Sequence, residues 1–102
     1  MTQGTTPTIE LRLSDRKIDL EACQKVRAVL MQGEKKLVID KPDDRMRLFP
    51  GAAMLDLTQS DTMFFLPGKV LVQLRWEDKD GKVYASTIGS ITVVRILEKE
   101  EL

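Results

Sequence analysis

The sequence predicts an all-β fold, an antiparallel sandwich of about seven short strands. Three observations carry this. Between Val70 and Glu77 the residues alternate, with Val70, Val72, Leu74 and Trp76 pointing one way and Leu71, Gln73, Arg75 and Glu77 the other; a period of two marks a strand with one face on a core. Turn signals follow every ~10 residues, at Gly33, Pro42, Pro50-Gly51, Pro67-Gly68 and Asp80-Gly81. Finally, 102 residues with 42% hydrophobic content make one domain with enough apolar material for a modest core.

Residues 1–6 read as a flexible polar arm ahead of a single domain over residues 7–97, with a charged tail at 98–102. From Thr8 to Leu13 the chain alternates, with Ile9, Leu11 and Leu13 inward and Glu10 and Arg12 outward, and Ser14–Asp19 breaks the pattern as a loop. Residues 20–32 support two readings. Asp19 is a helix cap for a weak 3.6 period through Leu20, Cys23, Val26, Arg27 and Leu30, whereas Val26, Ala28 and Leu30 also alternate with Lys25, Arg27, Val29 and Met31. The strand reading is the stronger, because Gly33 then turns into an extended Lys35–Lys41 with Leu37 and Ile39 on one face, making a hairpin.

Pro42 sets a turn across Lys41–Asp44; Met46 and Leu48 mark a short strand, stopped by Pro50-Gly51. Met54–Leu57 is the next strand, with Leu55 and Leu57 inward. Thr58, Ser60 and Asp61 favour a compact polar or 3₁₀ turn, since their side chains bond nearby backbone N–H groups. Pro67-Gly68 opens the long strand and Asp80-Gly81 reverses it into Lys82–Ile88. Gly89 is a bulge candidate. Ser90–Leu97 continues extended and is apolar on both faces, with Ile91 and Val93 on one and Val94 and Ile96 on the other. Such a strand needs a second covering layer, from a partner chain or from a neighbouring loop.

Charge and composition argue against several chemistries. Sixteen Lys+Arg balance sixteen Asp+Glu, so no global field draws in nucleic acid or an anionic membrane. No apolar run is long enough to span a bilayer, and MTQGTTPT lacks the cationic and apolar regions of a signal peptide, so the expectation is a chain made in the cytoplasm. A single cysteine, Cys23, forms no intrachain disulfide and reads as a core filler. The chain has no histidine, hence no imidazole base or ligand. Around Gly81 the spacing fails the EF-hand pattern, because positions 1 and 12 fall on Trp76 and Thr87. Asp40, Asp43 and Asp44 lie beside Arg45 and Arg47 and read as a solvated turn rather than a metal site. No Gly-rich phosphate loop is present, and the aromatics are too few, with Trp76 inward, for a single-strand nucleic-acid face. The expectation is no enzyme, no cofactor and no metal.

The sharpest apolar feature on a predicted loop is Met63-Phe64-Phe65-Leu66. In the plainer reading Phe65 plugs one end of the sandwich and Phe64 partly shields it; in the functional one this is a docking patch. Phe64, Val94 and Ile96 are the candidate partner-interface residues.

Gly4–Thr8 (GTTPT), Leu57–Thr62 (LTQSDT), Phe65, Val72–Trp76 (VQLRW), Asp80-Gly81, Ser86 and Arg95–Leu97 (RIL) stand together in this order. This set resembles a small protein encoded in phages and prophages of Gram-positive bacteria, in which a Thr-Thr-Pro-Thr start, a Leu-Thr-Gln-Glu-Asp-Thr turn and a Gln-rich strand recur in the same order. It is also similar to the immunoglobulin-like N-terminal module of phage baseplate upper proteins. The chain departs from the pattern at Ser60, where an acidic residue is expected, and at Pro67-Gly68. The resemblance implies an immunoglobulin-like sandwich and a structural role in the virion, in the tail or baseplate. It carries no catalytic residues. Its implied partners are other virion proteins, with a homo-oligomer also open. LTQSDT then becomes the crossover between the fifth and sixth strands, where immunoglobulin domains use a tyrosine corner; with no Tyr there, Thr58, Asp61 and Thr62 must brace it. The rival function is a carbohydrate-binding module for host recognition, which needs Trp76 and Tyr84 adjacent and open to solvent.

Overall fold

The computed structural model describes residues 1–102. Eight strands form two antiparallel sheets. The smaller holds β1 (Thr8–Arg12), β5 (Ala52–Asp56) and β4 (Met46–Phe49), in the order β1-β5-β4. The larger runs β3 (Lys35–Asp40), β2 (Lys25–Gln32), β6 (Gly68–Glu77), and both β7 (Val83–Ala85) and β8 (Gly89–Val93) pair with β6. One short helix, α1 (Gln59–Phe64), carries the chain from β5 to β6. Ala53, Leu55 and Met46 from the small sheet join Val26, Ala28, Leu30, Ile39, Val70, Val72, Leu74, Trp76 and Val93 from the large one in one buried cluster. Two layers over one core are consistent with a β-sandwich.

The long strand obeys its alternation: Val70, Val72, Leu74 and Trp76 are buried. It pairs along its length with β2, from Lys25 opposite Glu77 to Met31 opposite Leu71. Residues 20–32 use both of the periods legible there. Asp19 caps a single 3₁₀ turn, Leu20–Ala22, by accepting from the Glu21 N–H, and the strand begins at Lys25 with Val26, Ala28 and Leu30 inward. Gly33, at φ 57, supplies the positive φ for a two-residue hairpin turn into β3.

Three expectations change. The Thr58–Asp61 turn is the start of an α-helix, because Thr58 and Asp61 form a reciprocal capping box that satisfies two backbone N–H groups. The break expected at Gly89 falls earlier, over Ser86–Ile88, and the last strand ends at Val93 rather than at Leu97. Ala85 opposes Arg75 and Gly89 opposes Val72, so Ser86, Thr87 and Ile88 face only Gln73 and Leu74. The extra residue makes a bulge that ends at the suspected Gly89 and turns Ile88 outward. Ser86 holds the bulge by accepting from the Leu74 N–H at 3.0 Å, while its carbonyl accepts from the Gln73 amide at 2.9 Å.

The N-terminal arm is docked rather than loose. Thr2 bridges Val94 in parallel, and Gln3 is buried. The Gln3 side chain donates to the Phe65 carbonyl at 2.8 Å and accepts from the Ile96 N–H at 3.3 Å; its backbone N–H donates to the Val94 carbonyl at 3.0 Å. The arm therefore covers part of the last strand, which ends at Val93. The cover comes from this chain's own segment.

Candidate partner interface

Phe64 ends α1, and Phe65 follows as the helix stop. Phe65 is fully buried, and the Phe64 ring meets it edge-on at 5.1 Å. Phe64 stays 40% exposed, with the Lys35 ammonium 5.0 Å from its ring centre. One aromatic therefore plugs the core end and the other shields it while facing solvent. Leu66 beside it is 59% exposed, its backbone clamped from both sides by the Gln32 amide, which donates to the Leu66 carbonyl at 2.7 Å and accepts the Leu66 N–H at 2.8 Å. That clamp fixes the β2–β3 hairpin against the start of β6.

Val94 and Ile96 occupy different environments. Val94 is 52% exposed. Ile96 is half-buried, and the space a side chain at Gly4 would fill already lies 3.2 Å from its Cδ1 and 3.4 Å from the Met63 sulfur. Ile96 thus packs beneath the arm, while Phe64, Leu66 and Val94 face outward at the same end of the molecule.

The outer face of the large sheet adds apolar residues that the sequence reading left unassigned. Met31 and Leu71 sit opposite each other on β2 and β6, both exposed, with Ile88 thrown out by the bulge. With Val29 and Gln32 they line an open groove of about 540 Å³. The signal was available: Val29, Met31 and Leu71 are apolar in the outward phase of their strands. The outer face of the small sheet is more polar, with Arg47 paired to Asp56 at 2.7 Å and Thr8 donating to Asp56 at 2.8 Å, although Phe49 is exposed at the end of its edge strand.

The remaining candidate residues resolve into structural roles. Asp40 is held below the usual carboxylate range by the Arg27 guanidinium, at 2.7 Å, and Asp43 is lowered to about 2 by Arg45. No group of His, Cys, Asp and Glu in the chain has the geometry of a metal site. Cys23 is buried, and burial pushes its thiol pKa up, away from reactivity. Trp76 and Tyr84 are cross-strand neighbours with rings stacked at 5.7 Å, yet Trp76 is only 7% exposed against 43% for Tyr84. No protein-family model matches the chain, and no curated protein is similar to it.

Proposed function

We propose that this chain is a non-enzymatic structural protein of a phage or prophage, an immunoglobulin-like module of the tail or baseplate that assembles through protein–protein contacts. The strand order supports the immunoglobulin part. With β1 as B, β2 and β3 as C and C′, β4 and β5 as D and E, β6 as F and the broken β7–β8 as G, the sheets read B-E-D and C′-C-F-G, an immunoglobulin order in which the antiparallel pairing of β1 with β5 is that of B with E. Met1–Gln3, bridged in parallel to Val94 beside the last strand, stands in the place of strand A. The E–F corner is braced by Thr58, Asp61 and Thr62 in place of a tyrosine, as the resemblance implies.

The observation that carries the assembly role is the placement of apolar surface. Phe64, Leu66 and Val94 cluster at one end, and through the Gln32 clamp this end runs into Met31, Leu71 and Ile88 on the outer sheet face. Apolar residues gathered at one place on an otherwise charged molecule mark an interface. The partner is another virion protein, and a second copy of the chain fits the same chemistry. A carbohydrate-recognition role is the weaker reading, because only one ring of the Trp76–Tyr84 pair is open. Induction of the prophage that encodes this chain, followed by gradient purification of particles and mass spectrometry of the tail fraction, tests the assignment. The chain is expected among the tail proteins after high-salt washing; its absence from washed particles contradicts the proposal.

A further inference from the structure

The two sheets differ in how their outward charges are answered. On the small sheet each outward cation has a carboxylate of its own, Arg12 with Glu10 and Arg47 with Asp56, and that face is neutral. On the large sheet the outward phase of β2, β3 and β6 carries five cations, Lys25, Arg27, Lys36, Lys69 and Arg75, against two carboxylates. Both carboxylates are already used, Asp40 by Arg27 at 2.7 Å and Glu77 by Lys25 at 3.8 Å. Lys36, Lys69 and Arg75 have no carboxylate partner in the chain. The large face therefore carries a net +3 on a chain whose formal charge is +0, which leaves −3 for the rest, with Asp15, Asp19, Asp78 and Asp80 gathered around Tyr84.

Two features of the register bear on what this face meets. Arg75 stands directly opposite Arg27 on the neighbouring strand. Like charges so placed cost stability, and Asp40 answers only Arg27. The cations also border the apolar block. Met31 opposes Leu71 and Val29 opposes Val38, in adjacent rows, with Ile88 at their edge. Lys36 lies beside Met31, Lys69 two residues before Leu71, and Arg27 two residues before Val29. Backbone to backbone, each is about 5 to 7 Å from its apolar neighbour. Lys69 lines the groove that this block forms, and no carboxylate does.

We propose that this face docks an acidic surface of a different protein, one whose apolar side chains cover Met31, Leu71 and Ile88 and whose surrounding aspartates or glutamates answer Lys36, Lys69 and Arg75. The inference rests on the assembly reading and names the partner's chemistry at one part of that surface. A second copy docked face to face sets +3 against +3 and repels itself. A nucleic acid satisfies the cations but leaves the apolar block uncovered, and the face has no aromatic ring in its outward phase to stack on a base.

The test compares particles made with three forms of the chain: the parent, Lys36→Glu with Arg75→Glu, and a control, Lys17→Glu with Lys82→Glu, which changes the net charge equally in exposed loops. Washed tails are expected to hold parent and control at the same level and the face variant at about a tenth of it or less. Arg75→Glu alone removes the repulsion with Arg27, so the isolated variant is expected to unfold at or above the parent temperature while its level in tails still falls. That pairing separates lost docking from lost folding, and a variant that unfolds well below the parent contradicts it. Retention of the face variant, or equal loss of the control, overturns this inference and leaves the assembly reading standing; absence of the parent from tails overturns both. In isolation the parent is expected to sediment as a monomer and to leave a short DNA duplex unbound at physiological salt. Self-association or DNA binding that Arg75→Glu abolishes gives the face another occupant and overturns the proposal.

Discussion

Asp61 joins three parts of the molecule through one carboxylate. Its Oδ2 accepts the Thr58 N–H at 2.9 Å, closing the capping box, and its Oδ1 accepts the Arg45 guanidinium at 2.6 Å. Arg45 also grips Asp43 at 2.8 Å. Because Asp61 is buried, Asp61→Ala leaves Arg45 and a helix N–H short of a partner. A loss of about 3 kcal/mol is expected in urea unfolding. Asp56→Ala, which breaks the exposed pair with Arg47, is expected to cost less than about 1 kcal/mol. The same network gives a pH dependence. The Asp43 carboxyl falls from 3.8 to about 2 in the folded state, so its contribution is complete above its unfolded value and drains away as pH drops from about 4 to about 2. In Asp43→Asn the urea midpoint is expected to fall less steeply across that window than in the parent. Gly51 supplies a second test at this scale. Its φ is +71, and an added Cβ would stand 2.5 Å from the Arg16 Cα. Gly51→Ala meets backbone rather than a movable side chain and is expected to cost about 2 kcal/mol or more. Gly33→Ala, with open space around the site, suffers only the φ penalty of about 1 kcal/mol.

Among the elements, the arm and the last strand depend on each other. Thr92 and Val94 turn backbone groups away from β6, and Met1–Gln3 satisfies them. Removing residues 1–4 bares that edge, and an unpaired edge invites association. The truncated chain is expected to show concentration-dependent growth in light scattering where the full chain does not. The strands with one buried face were legible in the sequence because period two has one physical cause: in β2 and β6 the core residues stand at every second position. The arm was not legible, because a polar segment such as TQGTT carries no periodicity; long-range bonds hold it, from Gln3 to Phe65, Val94 and Ile96 and from Met1 to Thr92 and Val94. The helix was half legible. Thr58 and Asp61 announced side chains bonded to nearby backbone N–H groups, but a six-residue element is too short for a 3.6 period to separate it from a turn.

For the molecule as a whole, the two ends and the two outer faces are unlike. One end is apolar around Phe64, the other anionic around Tyr84. The small sheet shows ion pairs to solvent and the large sheet shows Met31, Leu71 and Ile88. Of the three candidate interface residues, Phe64 and Val94 face solvent. Ile96 is partly covered beneath the arm, a tertiary contact that a single sequence cannot display. The molecule is elongated, 47 Å in its long dimension against 24 and 20 Å.

The direct measurement is incorporation of surface variants into particles. Phe64→Asp combined with Leu66→Asp removes the two exposed apolar side chains of this end; Phe64 also packs on Phe65, so the isolated protein is expected to unfold some degrees below the parent but to remain folded at the temperature of assembly. In particles assembled from the prophage carrying these substitutions, the chain is expected to be lost from the tail fraction. Particles that retain the double variant at the parent level would contradict the claim that this end is the docking surface.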